Sequence, residues 1–135
     1  MNIKNLSITF HTDKIKECIH FYQKYFNAKV TFDADWYVVI CLPSEDKKPI
    51  FLSFQNLNEF KRTAFTGGTT LNIETSNVDL CYAEIKQSEV LIVDEIADHE
   101  WGDRSFCIKD PIGNLLYIYS EREISDKYKD AIKKQ

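Results

Sequence analysis

WGDRSFCIKDPIGNLLYIYSE, residues 101–121, decides how the rest of the chain is read. It predicts two strands, 104–109 and 114–120, joined by a tight turn at Asp110-Pro111-Ile112-Gly113. Proline at the second turn position pre-sets φ, and the glycine supplies the backbone freedom the turn needs. After Asn114 comes an almost continuous apolar run from Leu115 to Tyr119, the pattern of a strand covered on both faces.

Working back from that hairpin, 90–96 (VLIVDEI) reads as a strand and 78–87 as a helix with the stripe Val78, Cys81, Tyr82, Ile85. Ser76 or Asn77 is placed to cap it. Residues 69–75 (TTLNIET) alternate apolar and polar side chains as a half-buried strand does. The same order occurs earlier in the chain. Residues 5–11 (NLSITFH) alternate. Thr12 or Asp13 is placed to cap a helix over 13–26, whose stripe is Ile15, Cys18, Ile19, Tyr22, Phe26. Strands follow at 29–33, 36–42 and 50–55. The chain is therefore βαβββ written twice, an α+β pattern. Neither half buries both faces of its four strands alone, so the expectation is one curved mixed sheet with outer helices and a concave groove. All 135 residues then form a single domain. Its parts are a first module over about 1–55, a linker at 56–68, a second module over about 69–121, and an amphipathic C-terminal helix at 123–134.

Composition limits the function. With 44% hydrophobic and 13% aromatic residues the chain has material for a core, and its net charge is −4. No basic run exceeds Lys133-Lys134, which argues against nucleic acid, where phosphate neutralisation needs clustered Lys or Arg. No apolar stretch nears the ~20 residues of a membrane span. The four cysteines, at 18, 41, 81 and 107, show no zinc spacing and fall within apolar patterns, so they read as buried free thiols. With no signal peptide at the start, the expected location is the cytoplasm.

The duplicated βαβββ order, the first strand running into a helix that ends Ile19-His20-Phe21-Tyr22-Gln23-Lys24-Tyr25-Phe26, and Asp110-Pro111-x-Gly113-Asn114 before the last strand together resemble the vicinal oxygen chelate superfamily. This group includes glyoxalase I, extradiol dioxygenases, and fosfomycin and bleomycin resistance proteins. The lead-in Trp101-Gly102…Arg104 looks most like the bleomycin-binding branch, with Asp103 inserted. The resemblance implies a homodimer with a small-molecule site. It also implies four inward metal positions, which counting from the motifs places at Ser7, Leu52, Thr70 and Tyr117. None suits a divalent ion, which prefers imidazole, thiolate or carboxylate donors. The expectation is no metal and no cofactor. Shifted ligands, with His11, Glu74 and Gln55 as the nearby alternatives, are the basis of an alternative reading as a metal-dependent lyase, isomerase or dioxygenase.

Projection of the strands gives an inner face of Ile50, Leu52, Phe54, Leu115, Tyr117 and Tyr119, with Ser7, Thr9, Thr70 and Asn72 as its polar members. Trp101 and Arg104 join the expected ligand-binding set through the resemblance. Aromatic faces suit a flat or cationic molecule, and hydroxyls fix its orientation. A third reading is an interaction module whose groove is filled by its own side chains. Catalytic residues are not identifiable by spacing. His11 reads as a strand-end residue, His20 and His99 as solvated, and Glu100 with Asp103 as a charged loop.

Overall fold

A computed structural model describes residues 1–134 as two compact units that divide between Gly67 and Gly68. The first unit contains β1 (Thr9–His11), α1 (Ile15–Phe26), β2 (Lys29–Asp33), β3 (Tyr37–Leu42) and β4 (Ile50–Gln55). The second contains β5 (Thr70–Glu74), α2 (Val78–Lys86), β6 (Ile92–His99), β7 (Asp103–Lys109), β8 (Leu115–Glu121) and the short α3 (Asp126–Lys129). The ladders define two four-stranded mixed sheets, ordered β1-β4-β3-β2 and β5-β8-β7-β6. The first and last strands of each unit pair in parallel, and the other pairs are antiparallel. Among the described residues no helix is long and apolar enough to cross a membrane.

The duplication is visible in single hydrogen bonds. Thr12 N donates to Gln55 O at 2.9 Å, and Thr75 N donates to Tyr119 O at 2.8 Å, each closing its parallel pair. Thr12 thus matches Thr75, Gln55 matches Tyr119, and two residues back Ser53 matches Tyr117.

In the first unit, Phe10, Val38, Ile40, Leu52 and Phe54 meet Cys18 and Tyr22 of α1, all of them buried. Phe54 stacks on Phe10 and contacts Tyr22, with centroids 6.0 and 6.1 Å apart. In the second unit, Phe106, Ile108, Leu116 and Ile118 form the corresponding core with Val78 and Ile85 of α2. The α2 side is fixed by Tyr82 on Phe106 at 5.2 Å, and by Val78 N donating to Ser120 Oγ at 3.0 Å.

Several boundaries differ from expectation. β1 is three residues, because Asn5 Oδ1 takes the Leu6 N–H locally and Leu6 stands 87% exposed. Lys14 is the N-cap of α1 with no side-chain bond, and Thr12 Oγ1 accepts from Lys14 N just ahead of it. Asn77 does cap α2, accepting from Leu80 N at 3.1 Å. The expected helix at 123–134 shrinks to Asp126–Lys129, an uncapped turn too short to hold itself. Residues of the expected linker pack onto the first unit: Phe65 N donates to His11 O, and its ring lies 5.1 Å from Phe10.

Candidate ligand-binding site

In the second unit the strands carry two different faces. The even side of β7, Arg104, Phe106 and Ile108, turns to α2, as the burial of Phe106 and Ile108 and the ring contact with Tyr82 require. The odd side of β7 and β8 carries Asp103, Ser105, Cys107, Leu115, Tyr117 and Tyr119. The register sets Asn72 beside Tyr117 and Glu74 beside Tyr119. Asn72 and Glu74 are exposed and both tyrosines half-buried, so this face is open to a ligand.

At one end of it a polar cluster is built around Asp103, which is 8% exposed. Tyr117 OH donates to both carboxylate oxygens, at 2.8 and 3.0 Å. Trp101 Nε1 donates to Asp103 Oδ2 at 3.0 Å and lies 3.1 Å from Tyr117 OH. His99 Nδ1 lies 3.0 Å from Asp103 Oδ1, and Ser105 Oγ is 3.1 Å from the same nitrogen. The His99 ring stacks on Trp101 at 4.3 Å, nearly parallel, and Tyr128 of α3 meets Trp101 edge-on at 6.4 Å. Gly102, at φ 111, lets the chain turn between Trp101 and Asp103. A side chain there would press on Arg122 O at 3.3 Å.

Electrostatics on this face are one-sided. Burial first, and Asp103 with it, push the Tyr117 hydroxyl above its ordinary range, so it stays a donor at neutral pH. Burial and then Glu74 do the same to Tyr119, with Glu121 and Asp103 adding to the effect. Burial, with Asp94 next, pushes the Cys107 thiol up to about 12, which leaves it unreactive. Four carboxylates therefore act on the face: Glu74, Asp94, Asp103 and Glu121.

The structure brings together Trp101, Tyr117, Tyr119 and Asn72 of the expected set, with Thr70 on the same side of β5. Three other members move. Leu52 and Phe54, 7% and 0% exposed, lie on the face packed against α1, not beside Thr9. The register that pairs Thr9 with Ser53 gives that position to Ser53 instead. Arg104 lies on the α2 side of its sheet, donating to Asp79 through Nε and Nη2 at 3.1 Å each, and 3.4 Å from Asp98. The Asp79 bond, more than any other influence, holds its guanidinium above its ordinary range. In the first unit Thr9 Oγ1 is 3.3 Å from Tyr37 OH, and Ser7 is exposed ahead of β1. Trp36, Phe60 and Phe65 form ring contacts, and of the three only Phe60 remains substantially exposed.

His99 and Asp103 were the residues hardest to foresee. The loop HEWGD reads as solvated charge, but β6 runs on to His99 and β7 starts at Asp103. The signal available was their four-residue spacing around a Trp-Gly turn.

The metal positions implied by the family are corrected in one place. Internal equivalence puts Ser53, not Leu52, in the place matching Tyr117. The set becomes Ser7, Ser53, Thr70 and Tyr117, four hydroxyls, with that of Tyr117 already donated to Asp103. Neutral hydroxyls do not fit a divalent ion that needs imidazole or carboxylate donors. Among the described residues no group of three His, Cys, Asp or Glu side chains could hold one.

The family model of the Glyoxalase/Bleomycin resistance protein/Dioxygenase superfamily matches residues 6–118, and the chain belongs to this superfamily. Similar solved structures agree on the fold. A glyoxalase/bleomycin resistance protein/dioxygenase from Nocardioides has a TM-score of 0.73 at 12% identity, with 91% of this chain and 87% of that chain covered. A virulence protein from Salmonella typhimurium gives 0.69 at 21% identity, covering 90% and 99% of the two chains. An integron cassette protein from the mobile metagenome of V. cholerae gives 0.66 at 23% identity, covering 89% and 97%. Comparison with curated proteins gives no match.

Proposed function

We propose that the protein captures a small aromatic or cationic molecule without a metal or cofactor, at the open face of β5, β8 and β7 around Trp101, Tyr117 and Tyr119. The observation that carries this reading is the cluster on Asp103, a nearly buried carboxylate framed by aromatic rings. Trp101 is 49% exposed, so part of its ring is free to stack on a ligand, and stacked or cationic contacts contribute about 0.5–2 kcal/mol each. The carboxylates acting on this face, with Arg104 turned away to Asp79, favour a cation over an anion. Asn72 and Thr70 supply orienting polar groups. A homodimer, soluble in the cytoplasm, completes the proposal, and a sedimentation mass of two chains is the expected value.

Isothermal titration with the flat cations proflavine and methyl viologen tests the reading. Binding by at least one is expected, with Trp101→Ala weakening it by about tenfold, as loss of ~1.4 kcal/mol would. Absence of heat with either compound would sink it. Protein purified without chelator should carry no stoichiometric divalent ion.

A second reading keeps a metal-dependent enzyme with shifted ligands. It is favoured by one observation: His11 and Gln55 are direct partners across β1 and β4. Glu74 is the internal equivalent of His11. On this reading His11→Ala abolishes metal binding, whereas unchanged metal content removes the reading.

A further inference from the structure

His99 does not have the surroundings of a solvated loop residue. Asp103 receives Tyr117 OH and Trp101 Nε1–H, so it meets His99 as an acceptor, and His99 must present its proton from Nδ1. Ser105 does not turn this into a nucleophilic triad. Its hydroxyl faces the same Nδ1 that Asp103 holds, whereas a triad needs the serine on the opposite ring nitrogen, and Ser105 is 1% exposed. With Nδ1 protonated, Nε2 carries the lone pair. Nε2 makes no hydrogen bond among the described residues and is not a buried orphan. The ring is clamped flat on Trp101, so its direction is fixed before any ligand arrives.

We infer that His99 is a general base, oriented by Asp103, that removes a proton from a weakly acidic C–H, N–H or O–H group of a flat ligand stacked beside Trp101. The inference rests on the ligand reading above for where that molecule lies, and it adds a chemistry to the site. The proton moves to Nε2, and the imidazolium formed is compensated by the Asp103 carboxylate 3.0 Å from Nδ1. The electron pair stays on the ligand. Trp101 is a positioning residue through its contact with the imidazole, and Tyr117 positions Asp103.

The probe is 5-nitrobenzisoxazole, a flat carbon acid. Removal of its C3 proton turns the C–H pair into the third bond of a nitrile, while the N–O bond breaks and its pair leaves on the phenolate oxygen. No oxidant or co-reactant is needed. Binding is followed separately, by titration calorimetry, with 6-nitrobenzotriazole, which has the same shape and no N–O bond to break. The wild-type protein is expected to accelerate the elimination above buffer. His99→Ala is expected to lose about 10²-fold or more, the usual worth of a positioned base, while still binding the analogue. Added imidazole should restore part of the rate in His99→Ala, which a merely structural role would not allow. Asp103→Asn should lower the rate and leave nothing for imidazole to rescue, and His20→Ala should match wild type. Equal rates for wild type and His99→Ala, with the analogue still bound, overturn the general base and leave the binding site standing. Failure to bind the analogue, with turnover at buffer level, overturns both.

Discussion

Asp103 is the residue on which the site depends, because three donors converge on its two oxygens while water is largely excluded. Replacing it by Asn turns an amide N–H₂ toward those donors. Urea denaturation of Asp103→Asn should show a loss on the order of 1–3 kcal/mol, the cost of unmatched polar groups in a buried place. Tyr117→Phe removes one donor and leaves two, so about 1 kcal/mol is expected there, with an unchanged denaturant slope. The residue scale is also where reading from sequence was least secure. Tyr117 could be placed because Asp110-Pro111-x-Gly113 supplies a fixed point that ends four residues before it. Before β4 the turn is Lys48-Pro49 with no such glycine, so no local fixed point marks that strand, and counting from the distant motifs lands one residue away, on Leu52 instead of Ser53. In a strand one residue is a change of face. Leu52 and Phe54 consequently belong to the core, and Ser53 takes the open side.

Among the elements, the turn between β7 and β8 shows why its motif was readable. Asp110 Oδ1 accepts from Ile112 N at 3.1 Å and Asn114 N at 2.9 Å, and Oδ2 accepts from the Asn114 amide at 2.7 Å. Gly113 sits at φ 91, where a Cβ is strained. The motif is thus a set of hydrogen bonds, and it specifies the hairpin locally whatever lies elsewhere. Asp110→Ala should cost about 1–3 kcal/mol in thermal or urea unfolding, since both residues are buried, and Gly113→Ala about 1 kcal/mol or more. The helices were legible for a similar local reason, their apolar spacing. Asn27 ends α1 in the left-handed region at φ 55, its N–H bonded to Tyr22 O. Residues 5–8 and 123–134 misled because alternation and i, i+4 spacing are present there without enough partners to hold the backbone.

For the whole molecule, class and element order were open to reading because the βαβββ pattern occurs twice, so each half supports the other's assignment. The cluster of His99 with Asp103 was not, since it depends on where β6 ends and β7 begins. One global property follows from the buried thiol. Cys107 goes from an ordinary value near 9.0 to about 12 in the folded chain. A raised folded value means the unfolded chain gives up its proton first. The stability this group contributes is complete below about pH 9 and is lost as pH rises toward 12. Tyr117 and Tyr119 are shifted in the same direction and steepen the decline. Urea midpoints measured across the alkaline range should fall with pH, and Cys107→Ala should flatten that dependence relative to its own neutral-pH value. An identical slope in the variant would assign the decline to the tyrosines.

The two tryptophans fall one in each unit: Trp36 against Phe60 and Tyr37, and Trp101 against His99. That distribution gives the chain a built-in pair of optical reporters. Trp101→Phe leaves an emission that speaks only for the first half of the duplication, and Trp36→Phe one that speaks only for the second. Melting curves from the two variants then read the cooperativity between the two units directly. Superimposed transitions mean the halves unfold as one body, and separated ones rank them.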